Sequence, residues 1–134
     1  MQVVRAWQEE GVQVPSPYSR TIKVLFAPDR RGVHELTFSF ALIHPAGQTD
    51  YHAHDRPELI HVVSGRGICT CDGESYDIQG DVVLWVAAGE QHQIRNTGAE
   101  TLKLATVFVP AYEVEELVGR ILEAAAQASP AAET

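Results

Sequence analysis

Two histidines one residue apart, His52 and His54, are followed by Glu58, and a third histidine, His92, comes later in the chain. On an extended segment, side chains at i and i+2 leave the backbone on the same side, so both imidazoles of His52-Ala53-His54 address one space. The intervening Asp55-Arg56-Pro57 is turn-prone and can bring the Glu58 carboxylate back toward them. Three imidazoles and one carboxylate suit one divalent transition metal, and Fe, Mn, Ni, Zn and Co all tolerate this mixed nitrogen–oxygen set. Imidazole ligates when neutral and carboxylate when ionised, so affinity for such an ion should fall in acid.

Ligating histidines usually donate their second nitrogen to a carbonyl or carboxylate. Gln48 and Asp50 before His52, and Gln91 and Gln93 around His92, are the candidates for that duty. His61 is out of step with Ile60 and Val62 and should face the other way. His34 and His44 sit at predicted strand ends with no spacing argument for a metal. A carboxylate-bearing substrate would want a cation, and Arg20, Arg56, Arg66 and Arg95 lie in or near predicted rim segments. Of these, Arg95 should face away from His92 and Arg56 should point to solvent. Phe38, Phe40, Ile60, Trp85 and Phe108 are the expected apolar lining of a ligand pocket. No second interior carboxylate stands out as a general base.

These residues need a rigid frame, and the sequence supplies one. Short β-branched and apolar runs fall at 21–26, 33–43, 51–54, 59–63, 68–71, 74–78, 82–87, 91–95 and 101–109. Turn residues separate them, among them Asp72-Gly73, a two-residue hairpin signal that asks for positive φ at both positions. Many short strands at near-regular spacing predict an all-β antiparallel sandwich or barrel. Residues 1–20 read as an N-terminal extension or strand, 21–109 as the barrel, 110–127 as a C-terminal α-helix and 128–134 as a flexible tail. The helix places Val114, Leu117, Val118, Ile121 and Ala125 on one stripe, as a strap over the outside of the barrel. Glu113, Glu115 and Glu116 complement the positive end of its dipole.

At 134 residues the chain has room for one core. A net charge of −8, with basic residues scattered, argues against nucleic acid as a partner. No apolar run is long enough to cross a bilayer, and the first residues lack the basic-then-apolar pattern of a secretory leader, so a cytoplasmic location is expected. Cys69 and Cys71, two apart on a predicted strand, are at the limit of disulfide geometry and read as free thiols.

The spacing of the ligand set carries a family resemblance. Gly47-x4-His52-x-His54-x3-Glu58-x6-Gly65 is similar to the first cupin motif, one residue short before His52. Gly80-x6-Ala87-x-Gly89-x2-His92-x3-Asn96 is similar to the second, one residue long, with Ala87 where proline is usual. Both departures fall in turns, where length changes are tolerated. The chain thus resembles a small single-domain cupin over about 33–109. The resemblance implies a double-stranded β-helix, or jelly-roll barrel, with His52, His54, Glu58 and His92 as ligands of one metal inside it. It also implies a small-molecule ligand. An enzyme of dioxygenase, decarboxylase, isomerase or lyase type, acting on an oxygen-rich carboxylate or carbonyl compound, is the first expectation; a non-catalytic ligand-binding module is the second. Small cupins often pair, and Val3, Val4, Trp7 and Val12 offer an apolar N-terminal segment, so a homodimer is expected.

Overall fold

The computed structural model describes residues 1–128; of the tail expected at 128–134, residues 129–134 lie outside the described residues. A short 3-10 turn at Ala6–Gln8 precedes nine strands: β1 (Val12–Val14), β2 (Arg20–Phe26), β3 (Thr37–Ile43), β4 (Glu58–Ser64), β5 (Arg66–Cys71), β6 (Glu74–Gln79), β7 (Val83–Val86), β8 (His92–Asn96) and β9 (Leu102–Phe108). One helix, α1 (Val114–Gln127), ends the described chain. Six strands form one antiparallel sheet in the order β1-β2-β3-β9-β4-β7, and β6-β5-β8 form the second. The two sheets face each other as a jelly-roll barrel, the architecture the motif spacing implied. The β5–β6 hairpin closes through Asp72 and Gly73, both at positive φ.

Strand alternation decides what fills the space between the sheets. Across β2, β3, β9 and β4 the inward rows are Ile22–Ala41–Leu104–Val62 and Val24–Ser39–Thr106–Ile60. Ile43, Ile60, Val62, Leu102 and Leu104 meet Cys69, Ile78 and Ile94 of the second sheet to form an apolar core at one end. At the other end the inward side chains stop short of contact and leave a cavity.

This parity corrects part of the sequence reading. Phe38 and Phe40 stand on the outer face of β3, opposite in register to the small inward residues Thr37, Ser39 and Ala41. Trp85 lies on the outer face of β7 and is 66% exposed. None of the three reaches the cavity. The predicted strand at 51–54 is reduced to one bridge between His52 and His92, and the strand predicted from residue 33 begins only at Thr37.

The helix also sits differently from the expected external strap. Its apolar stripe packs on Val14, Ile22, Val24, Phe108 and Tyr112, with Leu117 and Ala125 buried, so it covers the open end of the barrel. Leu117, Arg120 and Ile121 border the cavity directly.

Candidate metal centre

The histidines come together because the irregular segment between β3 and β4 is fastened to β8. His52 and His92 exchange both backbone hydrogen bonds, at 3.0 and 2.8 Å. Upstream, Thr49 donates its N–H to Ile94 O, and Asn96 donates its N–H to Gly47 O. Gly47 is required there by close approach: a Cβ would lie 2.3 Å from Ser19 O and 2.9 Å from His44 O, both backbone atoms. Asn96 anchors the far end, donating from Nδ2 to Ile43 O and Glu100 O and accepting from Gly98 N–H. These motif residues hold the backbone and leave the chemistry to the imidazoles.

One nitrogen from each of His52, His54 and His92 lies within 4.8 Å of the others. The Nδ1 of His52 is 2.8 Å from Asp50 O, and that of His92 is 3.0 Å from Glu90 O. A carbonyl only accepts, so each Nδ1 carries its proton and each Nε2 keeps a free lone pair. Glu58 opens β4, is 7% exposed, and places Oε1 3.6 Å from His54 Nε2 and 3.4 Å from His92 Nε2. Backbone carbonyls therefore do the orienting expected of Gln48, Asp50, Gln91 and Gln93; Asp50 contributes its main-chain oxygen. The Gln93 side chain instead donates to Thr49 O, fixing the same loop.

Electrostatics favour the neutral, ligating form at His52 and His54 and the protonated form at His92. Burial, reinforced by the His92 ring, lowers the pKa of His52, and burial with His52 and His92 nearby takes His54 down to about 3. For His92 burial also opposes charge, but the Glu58 carboxylate and the Glu90 carbonyl outweigh it and its pKa is raised. His54 Nδ1 is buried without a hydrogen-bond partner among the described residues, and its ring packs edge-on against His52 at 4.7 Å and Phe108 at 4.8 Å. Two neutral imidazoles, Nδ1 protons set by carbonyls at His52 and His92, and a His54 Nδ1 without a hydrogen bond are what a metal ion would complete, displacing the proton that Glu58 favours on His92. The donor set fits a divalent ion.

The cavity beside the triad encloses about 270 Å³. Ile60 and Phe108 line it, as do Ile22, Ile94 and Leu104. Arg20 and Asp50 reach it as well, and sequence reading missed the first as an interior residue because a lone arginine at a strand start normally reads as rim. Arg66 and Arg95 are exposed, and Arg95 does not border the cavity. Arg56 does not point to solvent: its guanidinium lies 3.6 Å from the Tyr112 ring centroid, and it binds Asp55 and Ala111 O. Tyr112, 1% exposed and also overlooked, donates its hydroxyl to Asp55 Oδ1 and exchanges two hydrogen bonds with Thr37 Oγ1. The ligand loop is thereby clasped to the segment leading into α1. Paired to Arg56 and Tyr112, Asp55 is held at a pKa of about 2.

His61 faces outward near Asp81, and His44 contacts Thr21, both away from the triad. Cys69 and Cys71 are free thiols, and Cys71, Asp72 and Glu90 form a separate partly exposed group on the second sheet.

Residues 39–109 match the family model of the Cupin domain. An uncharacterized protein of Methanocaldococcus jannaschii is 26% identical over 77 residues, which are 57% of this chain and 62% of the relative; the chain thus spans about three-fifths of that protein's length. Among solved structures, a predicted oxalate decarboxylase of Thermotoga maritima superposes with a TM-score of 0.71 at 21% identity, over 81% of this chain and 99% of the other. A protein of Acidithiobacillus ferrooxidans, provisionally assigned as a sugar phosphate isomerase, gives 0.67 at 26% identity over 79% and 73%. With the histidine triad, the barrel and this match over more than half its length, the chain belongs to the Cupin domain family.

Proposed function

We propose that the protein is a metal-dependent cupin enzyme that binds one divalent transition metal through His52, His54, Glu58 and His92. Its substrate would be a small carboxylate or carbonyl compound. The observation that carries this reading is the pair of Nδ1-to-carbonyl contacts, which present the Nε2 lone pairs of His52 and His92 beside a largely apolar cavity. A divalent ion held there supplies Lewis acidity toward substrate oxygens. Asp50 is the second carboxylate at the cavity, 3.6 Å from His52 Nδ1, and is placed to take or return a substrate proton. A proton-handling carboxylate favours decarboxylase, isomerase or lyase chemistry over dioxygenation. The predicted oxalate decarboxylase and the provisionally assigned sugar phosphate isomerase among the similar structures point to the same side.

Metal analysis of protein purified from its own host tests the first half of the proposal. One equivalent of a divalent metal is expected, lost in His52→Ala and His92→Ala with the fold retained. Failure to take up Fe, Mn, Ni, Zn or Co on reconstitution would end the reading. A panel of small acids and carbonyl compounds, assayed with oxygen uptake in parallel, tests the second half. Turnover without oxygen uptake that Asp50→Asn removes while keeping the metal supports the proton-transfer assignment, and oxygen-coupled turnover replaces it with a dioxygenase. A loaded protein inert to the whole panel favours the non-catalytic binding module.

A homodimer belongs to the same proposal. On the outer face of the larger sheet, Phe38–Val107–Leu59–Trp85 form one lateral row and Phe40–Ala105–His61–Val83 the next, ending at edge strand β7. Leu59, Val63, Val83 and Trp85 are exposed there. An apolar face reaching a sheet edge is the kind of surface a second copy would cover.

A further inference from the structure

The cavity beside the triad contains a cation that the protein itself leaves largely unanswered. Arg20 begins β2 on the same side of the strand as Ile22, and its side chain is only 4% exposed. A guanidinium offers five N–H donors in a fixed fork. Among the described residues it makes one hydrogen bond, from Nη1 to Gln48 O at 3.0 Å. The nearest carboxylate, Asp50, is 4.0 Å from Nη2, beyond hydrogen-bond length, and is shared with His52. The Tyr18 ring, 6.0 Å away, adds only a weak contact. Burial lowers the pKa of Arg20, yet a guanidinium stays charged in proteins. A buried charge with most of its donors unspent is costly unless something else meets it.

We propose that Arg20 anchors a carboxylate of the ligand, so that the cavity takes small organic acids with one end at the guanidinium and the other at the histidine triad. The assignment rests on the triad being the reaction centre. The fork matches a planar carboxylate with two parallel hydrogen bonds. A phosphate group concentrates close to two negative charges at one point, which a single guanidinium beside Asp50 is poorly placed to meet, whereas a dicarboxylate divides its charge between Arg20 and the triad. Arg120 is exposed at the mouth, while Asp50 and Glu58 already contribute negative charge to the wall. The hydroxyls of Ser39 and Thr106, hydrogen-bonded to each other at 2.6 Å, are the neutral polar groups of the same wall.

The test follows the Arg20 Nε–H resonance in the full chain, assigned by its loss in Arg20→Met, during titration with malonate. Malonate dimethyl ester and inorganic phosphate serve as comparison probes, in both metal-free and zinc-loaded protein. Malonate is expected to shift the resonance in at least one form, the ester to leave it unmoved, and phosphate to bind more weakly. By calorimetry, Arg20→Met should weaken malonate binding by about tenfold or more, with zinc content unchanged. A silent resonance in both forms, tighter binding of phosphate, or wild-type malonate affinity in Arg20→Met overturns the proposal. Should Arg20→Met fail to fold, the charge-retaining Arg20→Lys supplies the assignment, and the wild-type titration still decides. If zinc is not taken up but malonate shifts Arg20, the metal reading fails and the anchor stands; if zinc binds and Arg20 stays silent, only the anchor falls.

Discussion

A single imidazole, carboxylate or thiol in this barrel is governed by what faces it. Cys69 shows this away from the candidate centre. It faces Ile94 across β5–β8, is nearly fully buried, and burial pushes its thiol up to about 11. The folded state therefore keeps a proton that the unfolded chain releases near its ordinary value of about 9. Stability from this group is complete below pH 9 and is lost as pH rises toward 11. Alkylation followed by mass spectrometry should label the part-exposed Cys71 first at pH 8, with Cys69 reacting only on unfolding. Equal labelling of both thiols in the folded protein would contradict the packing. Asn96 sets a second residue-scale expectation. Its amide makes three hydrogen bonds while 6% exposed, so Asn96→Ala should cost about 3 kcal/mol in urea unfolding. Retained stability would mean the turn has other supports.

Short loops and paired strands decide which of those residues can meet. The 44–52 segment reaches β8 only because Gly47 lets the chain pass against the carbonyls of Ser19 and His44. Gly47→Ala forces backbone apart, and should lower metal uptake along with thermal stability, read by elemental analysis and calorimetry on one preparation. Unchanged metal content would show that the His52 loop tolerates the shift. At this scale the sequence was legible where spacing carries the information. The two-residue step of His52 and His54, the return to Glu58 and the glycine turns survive any uncertainty about which face is inside. It was illegible where face had to be guessed from size. Phe38 and Phe40 looked like lining because aromatics usually face in, yet the inward row of β3 is Thr37, Ser39, Ala41 and Ile43, small where the cavity must stay open. Sequence alone puts Arg20 only among the rim cations and does not single out Tyr112, for the converse reason: their burial depends on the loop between β3 and β4, far from both in sequence.

For the molecule as a whole, the four candidate ligands join parts that the strand ladders leave separate. Glu58 belongs to the six-stranded sheet, His92 to the three-stranded one, and His52 and His54 to the loop between β3 and β4. A ligand that binds only the folded state adds about 2.7 kcal/mol of stability at a hundredfold excess over Kd. Zinc or manganese should accordingly raise the melting temperature of the wild type and leave His52→Ala unmoved; an equal rise in both would place the binding elsewhere. Self-association belongs to this scale too: Trp85→Lys at the outer face should shift the proposed dimer to monomer in light scattering while the melting temperature of the subunit changes little. The chain holds two tryptophans, Trp7 at 78% exposure and Trp85 at 66%, and neither borders the cavity. Ultraviolet emission from this protein is therefore an outside view. It should be red-shifted in dilute solution, move to the blue as protomers meet over Trp85, and stay dark to whatever enters the barrel.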